Sequence, residues 1–359
     1  MVSCLSSLLI IPQISLVSFR CRLFDPVDTR KMHTAHISRL GGVAFFPCIT
    51  VAVSLAIAFH NIYMGSNLLD TEMTTRLLVM FSSLFIIYLT GIMDDLIGMR
   101  YRSKFGVQIL CGLLIVNSGI YFDNLSGLFG IYEIPPYIGM PFTVFIVVYI
   151  LNAINLIDGI DGLASGLGII AFAAFGFMFI ALYWWMYAFI AIAALGVLMP
   201  FFFYNVFGEY FHERKIFMGD TGSLTIGMLL AVMAIRLSMY DPDKESLFPG
   251  SIVAAFSFLM VPMLDVVRVV LHRFRSRKPL FSPDKNHIHH KFIALGMSPH
   301  RAMACLLGMA LTFSVLNLWA INYLSVTVLF LLDVSVWTVM HIYITAKILK
   351  NSKRKKNKS

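Results

Sequence analysis

Charge is the scarcest ingredient of this sequence. Only 13% of its 359 residues are Asp, Glu, Lys or Arg, 58% are hydrophobic, and the mean hydropathy is +0.81. Soluble domains carry roughly one-quarter charged residues, so this balance excludes a soluble chain and describes an integral membrane protein. Cysteine is sparse as well. Cys4, Cys21, Cys48, Cys111 and Cys305 lack C-x-x-C spacing, which argues against a disulfide frame or a zinc site and for buried thiols. No unit repeats along the chain, against an inverted-repeat transporter. Residues 2–19 lack the basic start and small-residue cleavage site of a signal peptide and are read as a retained helix. Neither a nucleic-acid module nor a basic face with aromatics is found, so no nucleic-acid partner is expected.

What the chain has in abundance is apolar stretches near the ~20 residues that span hydrocarbon. They fall at about 2–19, 43–60, 75–93, 106–122, 137–152, 163–182, 184–204, 221–240, 249–271, 302–320 and 322–346. The expected fold is therefore all-α: a polytopic membrane bundle of about eleven transmembrane helices. Residues 1–346 form one integral-membrane catalytic domain and 347–359 a basic tail near anionic headgroups. Alternating connections sort 24 of the 28 lysines and arginines onto one side. By the positive-inside rule that side is cytoplasmic, with the N-terminus outside and the C-terminus inside.

Every polar cluster with chemical character falls on that same side. The clusters are "GIMDDLIGMRYRSKFGVQ" (91–108), "NAINLIDGIDGLASG" (152–166), "FMGDTGSLTIG" (217–227) and "SPDKNHIHHKFIALG" (282–296). Asp94, Asp95, Asp158, Asp161 and Asp220 would meet at the lipid–water boundary, where like charges raise one another's pKa unless cations compensate. Mg²⁺ answers that need, because it takes oxygen ligands, typically one or two carboxylates plus substrate phosphates. A Mg²⁺-dependent phosphate-handling site is expected, with Mn²⁺ as a substitute. Each motif alone has a plainer reading. The Asp pair could be a solvated helix end, "DGIDG" tandem turns, and "GDTGS" a capping segment whose amides would equally suit a phosphate. His287, His289 and His290 lack zinc-protease spacing. Their coincidence on one side is what carries the functional reading.

The segment from 272 to 301 joins these histidines to Lys285, Lys291 and a basic run. At roughly thirty residues it is too long for a plain connector and reads as a lid over an anionic ligand. Residues 23–42 similarly combine Arg30, Lys31, His33 and Arg39 with Gly41 and Gly42 at a helix entrance. Asp265 and Arg268, three apart, share a helix face, as a structural ion pair or as part of the site. Asp333 lies mid-helix and reads as a packing partner.

Taken together, the motifs resemble the polyprenyl-phosphate N-acetylhexosamine-1-phosphate transferases. The likeness runs from about residue 23 to 300. It rests on Asp94–Asp95 with Lys104 and Gln108, on "NxxNxxDGxDGL" at Asn152, Asn155, Asp158, Gly159, Asp161, Gly162 and Leu163, on "GDTGS" from Gly219 to Ser223, on "HIHH", and on the early "RK.H....RLGG" pattern. "HIHH" is similar to the GlcNAc-1-phosphate branch. The phospho-MurNAc-pentapeptide branch shows three consecutive histidines, a run that Ile288 interrupts here.

The resemblance implies attack by a polyprenyl (undecaprenyl) phosphate on the β-phosphorus of a UDP-amino sugar, releasing UMP at the cytoplasmic face of a bacterial plasma membrane. Both reactants are anionic, so positioning and charge neutralisation should dominate. Catalysis is expected of Asp94, Asp95, Asp158 and Asp161, with Asp95 engaging the lipid phosphate and Asp220, Asp158 and Asp94 holding the metal. Substrate binding is expected of Lys104, Asn152, Asn155, Lys285, His287, His289, His290, Arg30, Lys31 and His33, with activity falling across the histidine titration range. The expected partners are the UDP-amino sugar, the polyprenyl phosphate and the bilayer, with a homodimer left open. Two rivals stand: a transporter, which would want its carboxylates near the midplane, and a polyprenyl transferase, which would release pyrophosphate instead of UMP.

Overall fold

The structure, a computed structural model, describes residues 1–21, 23, 37–64, 68–208, 215–239, 250–277 and 286–356. Each of the eleven apolar stretches is helical. In chain order the helices are α1 (Val2–Arg20), α2 (Phe45–Met64, led by a 3₁₀ turn, Leu40–Ala44), α3 (Thr71–Ile97), α4 (Tyr101–Asn117), α5 (Pro136–Ile157), α6 (Leu163–Ala181), α7 (Trp185–Phe207), α8 (Gly219–Ser238), α9 (Ser251–Ser257), α10 (Met260–Arg275), α11 (Ile288–Ala294), α12 (Pro299–Ala320) and α13 (Val326–Lys356). Among the described residues the strands are one antiparallel hairpin, β1 (Asn124–Leu128) with β2 (Ile131–Glu133). The chain is an all-α, multi-pass membrane protein.

Nine of the described helices are long and apolar enough to cross a bilayer. The other two expected spans depart for visible reasons. α4 has 17 residues and begins on Arg102 and Lys104. The ninth is bent by 78° between α9 and α10. Pro262 lacks the N–H that would have bonded the carbonyl of Phe258, which frees the chain to turn there. Beyond the bend α10 carries Asp265, Arg268, His272, Arg273 and Arg275, side chains that suit a boundary better than hydrocarbon. α13 also runs past the expected boundary at 346 to Lys356, since lysine and arginine are good helix formers.

Burial ranks the helices. α8 is the axis of the bundle, buried at every position from Thr221 to Ser238 and packed against α3, α5, α6, α7 and α9. α1 and α13 expose Leu8, Leu9, Leu16, Leu331 and Val339, as lipid-facing helices should. α1 is nonetheless part of the bundle. Ser7 donates its hydroxyl to the Val197 carbonyl of α7 at 3.1 Å, and Asn317 of α12 ties Ser257 of α9 to Asp333 of α13, which supplies the partner expected for Asp333. With α8 central, side chains from α3, α4 and α5 reach its N-terminus.

Candidate active site

The N-terminus of α8 is assembled by backbone. Ser38, in an isolated bridge with Ile216, and the 3₁₀ turn that follows it lie along Ile216–Met218: Phe217 N–H donates to the Ser38 carbonyl (2.8 Å), and the Gly41 and Gly42 N–H groups donate to the Phe217 and Met218 carbonyls (3.0 Å each). A Cβ on Gly42 would overlap Gly222, and one on Gly91 of α3 would overlap the backbone of Thr221. Those approaches bring the end of α3 onto the start of α8. Asp95 then receives the free first-turn amides: its two oxygens accept Asp220 N–H and Thr221 N–H at 2.8 Å each, and the Thr221 hydroxyl at 2.5 Å. A carboxylate at this position satisfies unpaired donors and sits at the positive end of the helix dipole. The amides that "GDTGS" offers a phosphate are, at these two positions, held by Asp95.

Asp94 points the other way. Its Oδ1 accepts Met99 N–H at 2.7 Å, and its Oδ2 accepts Lys104 Nζ at 2.8 Å. The same ammonium donates to Asp220 Oδ1, also at 2.8 Å. One cation thus bridges two carboxylates from α3 and α8, with 13% of its own side chain exposed. Asn155 of α5 donates to Asp220 Oδ1 and to Ser223 Oγ (2.9 Å). Asn152, one turn earlier, donates to Gln108 Oε1 at 2.7 Å, and the Gln108 Nε2 is buried without a partner among the described residues.

The turn between α5 and α6 adds the remaining acids. Asp158 ends α5 and accepts no hydrogen bond among the described residues. Burial and the charges of Asp220, Asp161 and Asp95 push its carboxyl up to about 7, with Arg39 opposing. Asp161 pairs instead with the buried Lys215 at 2.9 Å. Asn205 of α7 locks this turn to the α8 approach, accepting Gly162 N–H (2.6 Å) and donating to the Ile216 carbonyl (2.8 Å).

The histidines arrive from α11. His289 lies against Gly159, where a Cβ would overlap its ring, so "HIHH" meets "DGIDG" directly. His287 and His289 stack at 5.9 Å between centroids, and His290 lies tilted against His289 at 4.2 Å. Their anchor is Asp265, wholly buried on α10. It accepts His287 Nδ1 at 2.9 Å, Ile288 N–H at 3.1 Å and the Arg268 guanidinium at 3.0 Å, while Arg268 also donates to the Asn286 carbonyl. The open reading of Asp265 and Arg268 resolves into an ion pair that holds the histidine segment. Burial, with His290 and His287 beside it, brings His289 down to about 3. It stays neutral across the physiological range, so the expected loss of activity with histidine titration cannot come from this ring.

The structure therefore brings together Asp94, Asp95, Asp158, Asp161, Asp220, Lys104, Asn152, Asn155, His287, His289 and His290 at one end of the bundle. Arg30, Lys31, His33 and Lys285 lie outside the described residues. Among the described residues no three His, Cys, Asp or Glu side chains stand close enough to hold a metal by themselves, so Asp220, Asp158 and Asp94 are not a closed ligand cage. The donor set still fits a hard cation that shares its ligands with substrate. All three are oxygen donors, and the gap between Asp94 and Asp220 already accommodates a positive charge. Asn205 and Lys215 escaped the sequence reading as site-building groups, whereas Asp265, left there between an ion pair and a part in the site, is the anchor of the histidine segment. The only signal was an ionisable residue inside an apolar segment, and that held for Asp265 alone.

Comparison with known proteins agrees with this geometry. The sequence model described as glycosyl transferase family 4 matches residues 77–238, which contain both aspartate motifs and "GDTGS". A Bacillus subtilis protein named probable undecaprenyl-phosphate N-acetylglucosaminyl 1-phosphate transferase is 32% identical over 344 residues, 95% of this chain and 86% of that one. The decaprenyl-phosphate N-acetylglucosaminephosphotransferase of Mycobacterium tuberculosis is 30% identical over 76% of this chain and 70% of its own length. The undecaprenyl-phosphate alpha-N-acetylglucosaminyl 1-phosphate transferase of Escherichia coli is 28% identical over 80% and 73%. With the motifs gathered at one helix terminus and likeness along nearly the whole chain, this protein belongs to glycosyl transferase family 4, among the polyprenyl-phosphate N-acetylhexosamine-1-phosphate transferases.

Proposed function

We propose that the chain transfers N-acetylglucosamine-1-phosphate from UDP-N-acetylglucosamine to undecaprenyl phosphate, releasing UMP and starting a lipid-linked surface glycan. The reaction takes place at the cytoplasmic face of a bacterial plasma membrane, the side to which lysine and arginine are biased. The observation that carries this reading is Asp220. It stands at the buried helix terminus where Asp94, Lys104 and Asn155 converge, beside the turn that His289 covers. The motif carboxylates Asp94, Asp95, Asp158, Asp161 and Asp220 gather at one end of the bundle, which supports an enzyme of the boundary over a midplane transporter. "HIHH" and the names of the relatives support the N-acetylglucosamine substrate over the MurNAc-pentapeptide.

In the reaction an oxygen of the lipid phosphate bonds to the β-phosphorus, and the bond from that phosphorus to the bridging oxygen breaks, leaving UMP. Asp220 and Asp94, with Asp158 once deprotonated, would hold Mg²⁺, which when bound neutralises charge on the diphosphate. Asp95 fixes the α8 terminus on which Asp220 rides, since both of its oxygens are engaged there. Lys104, which pairs with Asp94 and Asp220, is the cation assigned to the attacking phosphate. That phosphate is largely dianionic at neutral pH, its second pKa being about 6, and needs little help from a base. His287, His289 and His290 face the nucleotide and its diphosphate. Asn155 orients Asp220, and Asn152, one turn away, holds Gln108, whose Nε2 has no partner among the described residues.

The test is a panel of UDP-amino sugars offered to purified protein with undecaprenyl phosphate. UMP release that requires the lipid, a divalent ion and N-acetylglucosamine supports the proposal. Release of pyrophosphate, or none of UMP, ends it. Exchange of labelled UMP into UDP-sugar without lipid would replace direct displacement by a covalent aspartyl route.

A further inference from the structure

The position of Lys104 is hard to reconcile with a residue that only waits for the lipid phosphate. Its ammonium is already spent on two carboxylates, Asp94 Oδ2 and Asp220 Oδ1, both at 2.8 Å. Those are two of the three acids expected to hold the divalent ion. One gap therefore serves two cations, and like charges at that separation repel too strongly for both to remain.

We infer that Lys104 is an exchangeable counter-ion: a divalent cation entering between Asp94 and Asp220 expels the Lys104 ammonium, which then becomes the lipid-phosphate ligand. This rests on the reading of Asp94 and Asp220 as metal-holding residues. Three features suit Lys104 to it. It lies in the first turn of α4, at the boundary where a headgroup would lie. Its four-carbon stem lets a compact charge swing without moving the helix. The acids it leaves are not abandoned, because Asp94 keeps Met99 N–H and Asp220 keeps Asn155. The consequence is an order of events. Without the divalent ion the lysine neutralises the acids and offers the lipid phosphate nothing. With the ion bound, the freed ammonium attracts it. Metal and lipid phosphate then bind cooperatively, each raising the affinity of the other by the same factor.

The experiment is brief acylation of wild-type protein in phosphatidylcholine nanodiscs, with modification of Lys104 read by mass spectrometry and the exposed Lys347 as internal standard. Mg²⁺ should raise Lys104 labelling several-fold over EDTA. Undecaprenyl phosphate should reverse that rise in Mg²⁺ and change little in EDTA. Labelling that is unchanged or lowered by Mg²⁺ overturns the exchange. Electron paramagnetic resonance of Mn²⁺ on the same sample separates the causes: no bound Mn²⁺ sinks the metal reading and the exchange together, whereas bound Mn²⁺ with unaltered labelling sinks the exchange alone. As a second readout, Lys104→Gln should bind Mn²⁺ roughly tenfold tighter, the scale of a hydrogen bond to a charged group; equal or weaker binding counts against the inference.

Discussion

Asp94, Asp95 and Asp220 ride on long helices whose ends touch through backbone, whereas the histidines ride on and just before a seven-residue helix joined to its neighbours through side chains. On the acidic side Gly42 and Gly91 let α2 and α3 press onto α8, and Asp95 stitches α3 to two amides of its first turn. On the histidine side Asp265 alone gathers His287, Ile288 N–H and Arg268. Helix ends packed backbone to backbone hold the proposed metal-binding geometry rigidly, which electrostatic catalysis of phosphoryl transfer demands. A seven-residue helix held by side-chain contacts, Asp265 at its start and Lys291 Nζ donating to Thr345 Oγ1 of α13 at 2.8 Å, fixes the histidines through α10 and α13.

The contrast makes substitutions on the two sides fail differently. Asp220→Asn, on the rigid side, should lower UMP release by about a thousandfold, the scale of removing a main electrostatic stabiliser. A silent Asp220→Asn would end the distinction. Asp95→Asn strikes the same side through the fold. It exchanges a charged cap for a neutral one and should lower stability by about 1 kcal/mol, seen as a reduced Tm along with reduced kcat. Full activity with an unaltered Tm would deny Asp95 its anchoring role. On the other side Asp265→Asn should raise KM for the UDP-sugar by about tenfold with a smaller change in kcat, because it loosens a binding segment without moving the metal site. A pure kcat effect would put Asp265 on the acidic side of the comparison.

The pH dependence sharpens the contrast further. Asp158, pushed up to about 7 by burial and the neighbouring Asp220, carries its proton below that pH, and a divalent ion must displace it to use the carboxylate. Mn²⁺ affinity, followed by paramagnetic resonance, should therefore fall as pH drops from about 8 to about 6, releasing up to one proton per ion bound. His289, held down near 3, should contribute nothing over that interval. The smallest effect belongs far from both halves. Asp333→Asn, which leaves a group still able to accept from Asn317, should change activity less than about twofold.

Much of this was legible from residue order. The apolar runs marked every described helix but α11, with α9 and α10 read as one, and the alternation of basic connections put Asp94, Asp158, Asp220 and His287 on one side before any contact was known. What stayed hidden depends on approach in space. "DD" reads as two equivalent acids, yet the roughly 100° between neighbouring residues of a helix decides that Asp94 meets Lys104 while Asp95 meets the α8 amides. Asn205 and Lys215 carry no motif, and their roles exist only because the end of α7 passes beside the α5–α6 turn. The bend at α9–α10 was masked by an apolar average that does not register the missing N–H of Pro262.

The most direct measurement is pulsed paramagnetic resonance of Mn²⁺ bound to the purified protein with UDP-N-acetylglucosamine. A phosphorus coupling that is present in the wild type, and lost with Mn²⁺ binding in Asp220→Asn, is the predicted result. Undiminished Mn²⁺ affinity in Asp220→Asn, or an ion that shows no phosphorus neighbour, would contradict a divalent cation shared between these carboxylates and the diphosphate.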